Sequence, residues 1–520
     1  MRDLLTLGQM LAVHARLRPN ALGARDLERA LSFAQWNTRS RKLANALAGL
    51  GLTKGDRIAV LAYNCLEWLE IFAAAAKAGL VVTTLNFRGV PEDHLFVIED
   101  AEAGLVICQA GLEGAIEAIR DRLRLPPDRF VLFGAPPPAG WRSYEDLLAL
   151  GADREPEVAV AASDPWTLLY TSGTTGKPKG VVRSHRAAAL LSLVTEIELG
   201  LHREDEALLV MPLCHANSVN FFCAFTYCGA AVSVYSRKSF DPAHFLKTFA
   251  ELGASFTSLV PTQYVMLLEL PAKDKEGLRL DRAKKLMISS APAREETKRA
   301  VMEMFPAAGL FELYGSSEGG WVTMLHPHEQ LDHLGTVGRE CVGTKPIRFL
   351  DDAGNEVPDG TPGELFHATP YTFDYYWKRP DATAEAFRGE YCTVGDVGLR
   401  DEQGYIRLLD RKKNMIITGG ENVYPAEVEQ VLARHPAIRE VAVIGLPDPL
   451  WGERVHAVVA LQEGARLEEG ELLDWARPRL AGYKRPRSCT FLALEEFPRT
   501  ATGKIQHRVL REKILARERR

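Results

Sequence analysis

The sequence predicts an α/β protein with a large N-terminal domain and a small C-terminal α+β domain. Short, continuous apolar runs such as Arg57–Leu61 and Phe130–Phe133 alternate with helical patterns, which is typical of parallel sheets covered on both faces. The 520 residues are too many for one core. A separate strand and helix pattern follows a charged run at 410–414. We therefore expect doubly wound α/β subdomains, a smaller β region, and a mobile C-terminal domain.

The elements of the N-terminal part follow from their periodicity. Apolar residues at helical spacing predict helices over 36–50 and 67–78. The most apolar stretch, 221–235, is shorter than the roughly 20 residues that cross a bilayer, so we expect a buried helix followed by a buried strand. Short apolar runs predict strands at 57–61, 80–85, 105–108, 130–133, 166–170, 208–212, 231–235, 256–260 and 286–288.

The C-terminal part has a different pattern. Glycine and proline punctuation over 343–367 predicts a more antiparallel β region. The charged run predicts a boundary that gives domains 1–410 and 411–520. Pro425, followed by acidic residues, is a helix start signal. The remaining predicted elements are strands at 415–418, 441–444, 455–461 and 490–494, a turn at 419–422, and a helix over 471–480.

Composition excludes several classes of protein. The net charge of -5 gives no broad basic excess for nucleic acid. The eight cysteines include no C-x-x-C pair, so we expect reduced thiols and no zinc site. The N-terminus lacks the long apolar run of a secretory signal. We expect a soluble, cytoplasmic monomer or homodimer without a membrane segment.

The sharpest local signal is the run TSGTTGKPKG at 171–180. Its glycines let backbone N–H groups approach an anion, and its hydroxyls and lysines add donors and positive charge. It is not a Walker A loop, because Thr171 stands where glycine is needed and Pro178 follows the lysine. The next residues also favour a strand over a helix. The predicted polyphosphate contacts are Thr171, Ser172, Gly173, Thr174, Thr175, Gly176 and Lys179.

The run YTSGTTGKPKGVVRSH resembles the phosphate loop of the adenylate-forming (AMP-binding) superfamily, which includes acyl- and aryl-CoA synthetases, peptide-synthetase adenylation domains and firefly luciferase. Further motifs of the family follow in order: YGSSE at 314–318, TVGD at 393–396, the segment 410–422, and PRTATGKI at 498–505. The resemblance covers essentially the whole chain. It implies an AMP-forming acid:CoA ligase that uses Mg²⁺, ATP and CoA.

Elementary chemistry agrees with the family roles of four residues. Tyr314 offers a flat face for adenine, and Glu318 offers a hard oxygen ligand for Mg²⁺. Asp396 can accept two hydrogen bonds from a ribose diol. Lys504 supplies a cation where a carboxylate attacking the α-phosphate accumulates negative charge.

The resemblance implies further roles. Thr171 joins Glu318 at the metal and, with Lys504, completes the catalytic set. Arg411 contacts the ribose, and Lys413 lies at the hinge between the domains. The remaining nucleotide contacts that it implies are Glu312, Gly315 and Ser317.

The acyl pocket is implied by MPLCHAN at 211–217, which resembles the M-P-x-x-H segment of fatty and aryl acid ligases. His215 provides no counter-charge for a substrate ammonium, which disfavours an amino acid. Long-chain ligases place a gating tryptophan where this chain has Val219. We therefore expect a medium-chain fatty, aromatic or arylalkanoic acid. The implied pocket residues are His215, Ala216, Asn217, Val219, Ser290, Ala291, Leu313 and Gly319.

For the thiol acceptor, the sequence ends soon after Lys504, so we expect CoA rather than a fused carrier domain. An aromatic face beside a basic cluster suits an adenine that bears phosphates. The CoA contacts that the resemblance implies are Gly419, Gly420, Glu421, Trp451, Tyr483, Arg485 and Arg487.

Three alternatives stay open. An acyl-AMP ligase that loads a separate carrier protein shares every motif. A luciferase-like oxygenase shares only the first half-reaction. A non-catalytic nucleotide-binding protein would have lost Lys504 or Glu318, and this chain retains both. In the favoured hypothesis, the acid and Mg·ATP react with Lys504 in place, and the C-terminal domain then rotates about Lys413 to bring the Gly419–Glu421 turn to CoA.

Overall fold

The computed structural model describes residues 4–171, 178–291, 293–500 and 503–518. The chain divides into an N-terminal unit (Met1–Pro346 and His367–Cys392) and a C-terminal unit (Ile347–Phe366 and Thr393–Arg520). The C-terminal unit therefore includes strands that precede residue 410. The predicted domain boundary at 410/411 says which part of the chain moves as a lid, and it stays a prediction.

The α-helices are named in chain order. Within the described residues they are α1 (Leu7–Leu17), α2 (Phe33–Gly49), α3 (Leu66–Ala78), α4 (Pro91–Asp100), α5 (Glu113–Glu117), α6 (Tyr144–Leu150), α7 (His185–Leu199), α8 (Ala216–Cys228), α9 (Pro242–Leu252), α10 (Pro261–Leu268), α11 (Glu295–Met304), α12 (Pro380–Ala386), α13 (Pro425–Leu432), α14 (Glu469–Ala476) and α15 (His507–Glu518).

The strands are named in the same way. Within the described residues they are β1 (Leu22–Arg25), β2 (Ala30–Ser32), β3 (Arg57–Leu61), β4 (Val81–Leu85), β5 (Ala103–Gln109), β6 (Phe130–Phe133), β7 (Arg142–Ser143), β8 (Pro165–Thr171), β9 (Lys179–Ser184), β10 (Glu206–Leu209), β11 (Ala231–Val234), β12 (Phe256–Leu259), β13 (Lys285–Ser289), β14 (Gly309–Ser316), β15 (Gly320–Leu325), β16 (Arg339–Glu340), β17 (Arg348–Leu350), β18 (Gly363–Phe366), β19 (Tyr375–Tyr376), β20 (Phe387–Arg388), β21 (Tyr391–Cys392), β22 (Asp396–Arg400), β23 (Ile406–Arg411), β24 (Ile416–Thr418), β25 (Glu421–Val423), β26 (Ile438–Asp448), β27 (Gly452–Leu461) and β28 (Ser488–Phe491).

Two large sheets form the N-terminal unit. One has the strand order β16-β15-β14-β13-β12-β10-β11-β1-β2, and the other has the order β19-β9-β8-β4-β3-β5-β6-β7. Their central neighbours pair in parallel. Antiparallel pairs lie toward the edges: β14 with β15, β15 with β16 and β1 with β2 in the first sheet, and β8 with β9 and β9 with β19 in the second. Non-consecutive strand order with helical crossovers is the doubly wound arrangement. The predicted α/β fold class is confirmed.

Helix α3 illustrates how the core forms. Every residue of α3 is buried; most of the helix is apolar, and its charged residues Glu67, Glu70 and Lys77 form ion pairs with Arg29, Arg39 and Glu155. Its Phe72 packs against Trp68, Trp166 and Phe222. These aromatic contacts join α3 to β8 and to α8. The most apolar stretch of the sequence is thus helix α8 followed by strand β11, as predicted.

The C-terminal unit contains two further sheets. Strands β17, β18, β22 and β23 form an antiparallel sheet, which confirms the predicted β region. The second sheet has the order β25-β24-β27-β26, and β28 pairs in parallel with β27. Helices α13 and α14 supply Val428, Leu432 and Leu472 to the core of this α+β part.

Several predicted bounds were displaced: the helix predicted over 471–480 is α14, the strand predicted over 490–494 is β28, and the strand predicted over 441–444 is β26. Two further predictions were wrong for identifiable reasons. The strand predicted over 208–212 ends at Leu209, because the carbonyls of Val210 and Met211 bind the side chain of Asn64 instead of a neighbouring strand. The turn predicted over 419–422 is shorter, because Glu421 pairs with Thr418 across a tight hairpin. Within the described ranges, no helix is long and apolar enough to cross a membrane. None of the eight cysteines, all of which lie in those ranges, forms a disulfide.

Asn64 gives a test of how the segment 210–213 is held. Its Nδ2 donates to the carbonyls of Val210 and Met211, and its Oδ1 accepts from the Leu213 N–H at 2.8 Å. Asn64→Ala should lower the free energy of unfolding by about 3 kcal/mol, because it leaves buried backbone groups without partners. Urea unfolding followed by tryptophan fluorescence measures the loss. The exposed Leu150 supplies the control Leu150→Ala, and equal unfolding midpoints in both variants would contradict this account.

Candidate active site

The predicted phosphate loop joins two paired strands. Thr171 at the end of β8 pairs with Lys179 at the start of β9, and Gly180 to Ser184 continue as a strand, as predicted. The predicted contacts Ser172, Gly173, Thr174, Thr175 and Gly176 lie outside the described residues. The Lys179 ammonium lies over the ring of Tyr376, 4.9 Å from its centroid. The two strands therefore fix both ends of the loop.

The YGSSE motif lies at the end of β14, where the chain turns back into β15. Glycine is required at position 315, because a Cβ there would lie 2.1 Å from the Gly320 carbonyl oxygen. The Ser316 hydroxyl accepts a hydrogen bond from the Gly319 N–H. Tyr314 and Glu318 are both buried. The turn thus brings the predicted adenine and metal contacts into one short segment.

Glu318 has a neutral hydrogen-bond donor. The Tyr376 hydroxyl donates to Glu318 Oε1 at 2.8 Å, and the Phe373 N–H donates to the Glu318 carbonyl at 2.7 Å. Mg²⁺ in nucleotide sites is bound by one or two carboxylates together with phosphate oxygens. The single carboxylate of Glu318 fits that requirement. Within the described residues, no group of three or more His, Cys, Asp or Glu could hold a metal by itself.

Glu312, a predicted nucleotide contact, lies deeper in β14 than the turn. Its carboxylate forms a buried ion pair with Lys298 of α11. Burial raises the pKa of Glu312, and the Lys298 ammonium opposes this shift. A direct role of the Glu312 side chain at the nucleotide stays a prediction.

The predicted acyl-pocket residues come from adjoining strand and helix ends. His215 precedes the first residue of α8, and Ala216, Asn217 and Val219 occupy its first turn. Asn217 donates to the Ser289 hydroxyl at 3.0 Å, and Ser289 pairs with Leu313 in the neighbouring strand. Ser290 follows with a φ of 71°, and Ala291 is exposed. The structure therefore places these residues at the carboxyl ends of β13 and β14 beside the start of α8.

Gly319 completes the predicted pocket and reveals a residue that sequence reasoning missed. A Cβ at position 319 would lie 2.5 Å from Cε1 of His367, so a side chain there would clash. His367 is fully buried, and burial lowers its pKa to about 4, which makes the imidazole neutral at pH 7. The only sequence signal was a histidine in the strand-like run ELFH.

Arg183 and Tyr376 were missed as well. Arg183 is buried in β9 and donates to the carbonyls of Ser317 and Tyr371. Burial lowers the pKa of its guanidinium. Tyr376 belongs to the aromatic run YTFDYYW, which was the available signal. Both residues act on the YGSSE turn from more than fifty residues away, so local patterns did not indicate their partners.

In the C-terminal unit, three of the predicted nucleotide residues lie close together. Arg411 Nε donates to Asp396 Oδ1 at 3.1 Å, and the two residues are directly paired in β22 and β23. Surrounding atoms desolvate the Lys504 ammonium, although part of this side chain stays exposed. This desolvation, together with the positive charge of Arg411, lowers the pKa of Lys504 to about 8, against the opposing effect of Asp396. The cluster combines an acceptor for a diol with two cations for phosphate.

The predicted hinge residue Lys413 is exposed and lies in a turn that its neighbours fix. The Asp410 carboxylate accepts from the Asn414 amide and from the Ala426 N–H at the start of α13. Lys412 forms ion pairs with Asp352 and Glu364. The turn is therefore held from both sides of Lys413.

The predicted CoA contacts form an aromatic and cationic surface in the C-terminal unit. Gly419 and Gly420 both have left-handed backbone conformations, which favour glycine. The Gly419 N–H donates to the Trp451 carbonyl at 2.8 Å, and the Arg487 guanidinium lies 4.1 Å from the ring centroid of Trp451. Trp451 is 38% exposed. This geometry leaves an indole and a guanidinium accessible beside the Gly419–Glu421 turn.

Other members of that predicted set have additional partners. Arg485 donates through Nε to the Leu480 carbonyl. Tyr483 is exposed in a turn that packs against β25, and its neighbour Lys484 pairs with Glu427. The turn that contains Tyr483 therefore lies beside β25, whereas the side chain of Arg485 binds the backbone of its own segment.

Comparison with known proteins gives matches along nearly the whole chain. The AMP-binding enzyme family model matches residues 11–377, and the model of the AMP-binding enzyme C-terminal domain matches 427–504. The chain is 35% identical over 509 residues to feruloyl-CoA synthase from Amycolatopsis sp, covering 96% of this chain and 97% of the relative. It is 34% identical over 507 residues to indoleacetate–CoA ligase from Aromatoleum aromaticum, covering 96% of each chain.

A solved structure has the same architecture. The Mycobacterium tuberculosis fatty acyl CoA synthetase is 30% identical, with a TM-score of 0.77, and the match covers 98% of this chain and 99% of that one. The sequence matches and this structural match therefore point to the same family.

His507, three residues after Lys504, provides a pH-dependent test of the C-terminal unit. Burial lowers its pKa, but the Glu429 carboxylate, which it contacts at 2.8 Å, and Asp410 outweigh burial and raise the pKa to about 8. The protonated form is therefore stabilised. Its contribution, up to about 2 kcal/mol, is complete below pH 6.5 and is lost as pH rises through 8.

The measurement is the free energy of unfolding of the full chain at pH 6.5 and at pH 9. Glu429→Gln and His507→Gln should each remove most of the difference between the two pH values. The exposed residue His202 supplies the control His202→Gln, which should keep the difference. Histidine Cε1 NMR titration gives the pKa directly, and a His507 pKa at or below 6.5 would contradict the assignment.

Proposed function

The chain belongs to the AMP-binding enzyme family, the adenylate-forming superfamily that contains acyl- and aryl-CoA synthetases, and from this premise we propose that it is an AMP-forming acid:CoA ligase. It converts a carboxylic acid, ATP and CoA into acyl-CoA, AMP and pyrophosphate through an acyl-adenylate. The observation that carries the proposal is the cluster of Asp396, Arg411 and Lys504, because it unites the groups that a ribose and a reacting phosphate require.

In the first half-reaction, a carboxylate oxygen of the acid attacks the α-phosphorus of ATP. The bond between that phosphorus and the bridging oxygen breaks, and pyrophosphate leaves. Negative charge accumulates on the α-phosphate oxygens, and a positioned cation stabilises it. Lys504 and Lys179 are the proposed cations, with Thr171 and the loop that follows it cradling the phosphates. Tyr314 stacks on the adenine, and Asp396 and Arg411 hold the ribose.

A divalent cation completes the charge balance of this step. Glu318, with Thr171, would hold Mg²⁺, which supplies Lewis-acid neutralisation of the phosphate charge when bound. The side chain of Glu318 supports this role because its bond from Tyr376 orients the carboxylate without cancelling its charge.

In the second half-reaction, the CoA thiol loses its proton and attacks the acyl carbon, and AMP leaves with the bridging oxygen. The proposed CoA surface is the Gly419–Glu421 turn with Trp451 and Arg487. The guanidinium stacked on the indole supports this assignment, because an adenine that bears phosphates is bound by stacking and by positive charge. Lys413 is the proposed hinge of the C-terminal domain between the two half-reactions.

The proposed acid is medium-chain fatty, aromatic or arylalkanoic. Two relatives are named after acids that contain an aromatic ring, feruloyl-CoA synthase and indoleacetate–CoA ligase. The name of the fatty acyl CoA synthetase instead supports an alkyl chain. Val219 in the first turn of α8 is a small, buried side chain at the place where long-chain ligases of the family have a gating tryptophan, which supports a ring or a shorter chain. The alternative, an acyl-AMP ligase that loads a separate carrier protein, uses the same first half-reaction.

The test is release of AMP and pyrophosphate from Mg·ATP across fatty, aromatic and arylalkanoic acids, with and without CoA. CoA-dependent turnover with one group of acids supports the ligase and gives its substrate class. Acid-dependent pyrophosphate release that forms no acyl-CoA supports the carrier-protein alternative. Absence of acid-dependent pyrophosphate release with every acid would overturn the proposal.

Lys504 separates the two half-reactions. Lys504→Ala should reduce acid-dependent pyrophosphate release about 10²–10³-fold, the effect of removing a group that stabilises transition-state charge. It should leave thioester formation from supplied acyl-AMP and CoA within about twofold, since that step develops no new charge on the α-phosphate. Stopped single-turnover assays measure both. Arg508→Ala, at an exposed position of the same segment, is the control, and equal loss of both half-reactions in Lys504→Ala would contradict the division.

A further inference from the structure

Tyr376 contacts two of the proposed Mg·ATP residues at once. Its hydroxyl donates to Glu318 Oε1 at 2.8 Å. Its ring lies under the Lys179 ammonium, with 4.9 Å between the nitrogen and the ring centroid. Tyr376 is 6% exposed and Glu318 is 7% exposed, so the hydrogen bond is shielded from water. One side chain thus connects the proposed metal ligand to the proposed phosphate lysine.

The backbone fixes Tyr376 relative to both partners. Strand β19 pairs with β9, with Tyr376 opposite Val181, and the Trp377 N–H donates to the Gly180 carbonyl at 2.7 Å. This pairing ties Tyr376 to the strand that begins with Lys179. The Phe373 N–H donates to the Glu318 carbonyl, which ties the same segment to the YGSSE turn.

The chemistry of a phenol suits this position. A lysine or arginine beside Glu318 would orient the carboxylate but would also neutralise it, which weakens its attraction for a cation. A hydroxyl orients the carboxylate and leaves its negative charge in place. The face of the ring attracts the Lys179 ammonium, so this contact holds the cation without the help of a carboxylate. Tyr376 can therefore contact a carboxylate through its hydroxyl and an ammonium through its ring at the same time.

We propose that Tyr376 is a positioning residue for Mg·ATP, which orients Glu318 toward the metal through its hydroxyl and Lys179 toward the phosphates through its ring. The inference rests on the proposed function for the identity of the ligand. It predicts a different effect for each contact: loss of the hydroxyl lowers the affinity for the metal, and loss of the ring lowers the affinity for the nucleotide.

The experiment uses the full chain and two variants of Tyr376. Tyr376→Phe removes the hydroxyl and keeps the ring, and Tyr376→Leu removes both. Mn²⁺ binding to the ATP complex is followed by electron paramagnetic resonance, and metal-free ATP binding by calorimetry. Tyr376→Phe should weaken Mn²⁺ binding about tenfold, as expected for loss of a hydrogen bond to a charged group, with metal-free ATP affinity unchanged. Tyr376→Leu should weaken metal-free ATP binding as well, about threefold.

Matched controls separate positioning from folding. Tyr375→Phe changes the neighbouring, half-exposed tyrosine of the same strand and should leave both affinities unchanged. If Tyr376→Leu fails to fold, Lys179→Met tests the ring contact in its place. Lys179→Met should lower the affinity for metal-free ATP. When it is combined with Tyr376→Phe, Mn²⁺ binding should be no weaker than in Tyr376→Phe alone. Glu318→Gln should lower Mn²⁺ affinity, and combining it with Tyr376→Phe should lower it no further.

Wild-type Mn²⁺ affinity in Tyr376→Phe would overturn the inference, and so would fully additive losses in the double variant. Steady-state assays give a second reading, in which the Mg²⁺ concentration for half-maximal activity rises in Tyr376→Phe while the KM of the acid is unchanged. A wild-type protein that binds Mn·ATP but activates no acid would overturn the proposed function alone, because the Mn²⁺ comparison between variants remains decisive for Tyr376.

Discussion

The arrangement of the N-terminal unit depends on hydrogen bonds from residues 369–376 to the turn after β14. These bonds run from the Thr369 hydroxyl to the Gly319 carbonyl, from the Phe373 N–H to the Glu318 carbonyl, and from the Tyr371 hydroxyl to the Trp321 carbonyl. Glu318 and Gly319 are buried, and their carbonyls need partners because unpaired backbone groups are costly away from water. The returning segment supplies those partners and so fixes where Tyr314 and Glu318 lie.

Two buried carboxylates of the same unit, Glu312 and Glu318, have different side-chain partners. Glu312 is paired with the opposite charge of Lys298. Glu318 receives a hydrogen bond from the neutral phenol of Tyr376 instead. Breaking a buried pair by removing one partner is strongly destabilising. The two carboxylates therefore make different links: Glu312 joins β14 to α11, and Glu318 joins the turn after β14 to β19.

The sequence predicted the elements whose signal is local and missed the contacts that are not. Arg57–Leu61 and Phe130–Phe133 were predicted at their observed bounds, because apolar runs between turn signals determine such strands. The predicted end of β10 was wrong because the side chain of Asn64, which is far away in the sequence, donates hydrogen bonds to the carbonyls of the next two residues. Motifs predicted roles for Glu318 and Lys504, yet Tyr376 and Arg183 have no motif of their own. Their importance comes from partners that only the folded chain brings near.

The C-terminal unit carries its two sets of predicted contacts on one connected body. Asp410, beside the proposed hinge, accepts from the Ala426 N–H at the start of α13, and Glu429 in the same helix contacts His507 at the start of α15. The Gly419 turn is tied through Trp451 to the sheet that supports α13. Because Asp410 precedes Lys413 in the chain and α13 follows it, the Asp410–Ala426 bond spans the proposed hinge. The proposed rotation about Lys413 would therefore have to break this bond, whereas the contact between Glu429 and His507 and the pairing of Thr418 with Gly452 would let Lys504 and the Gly419 turn move together.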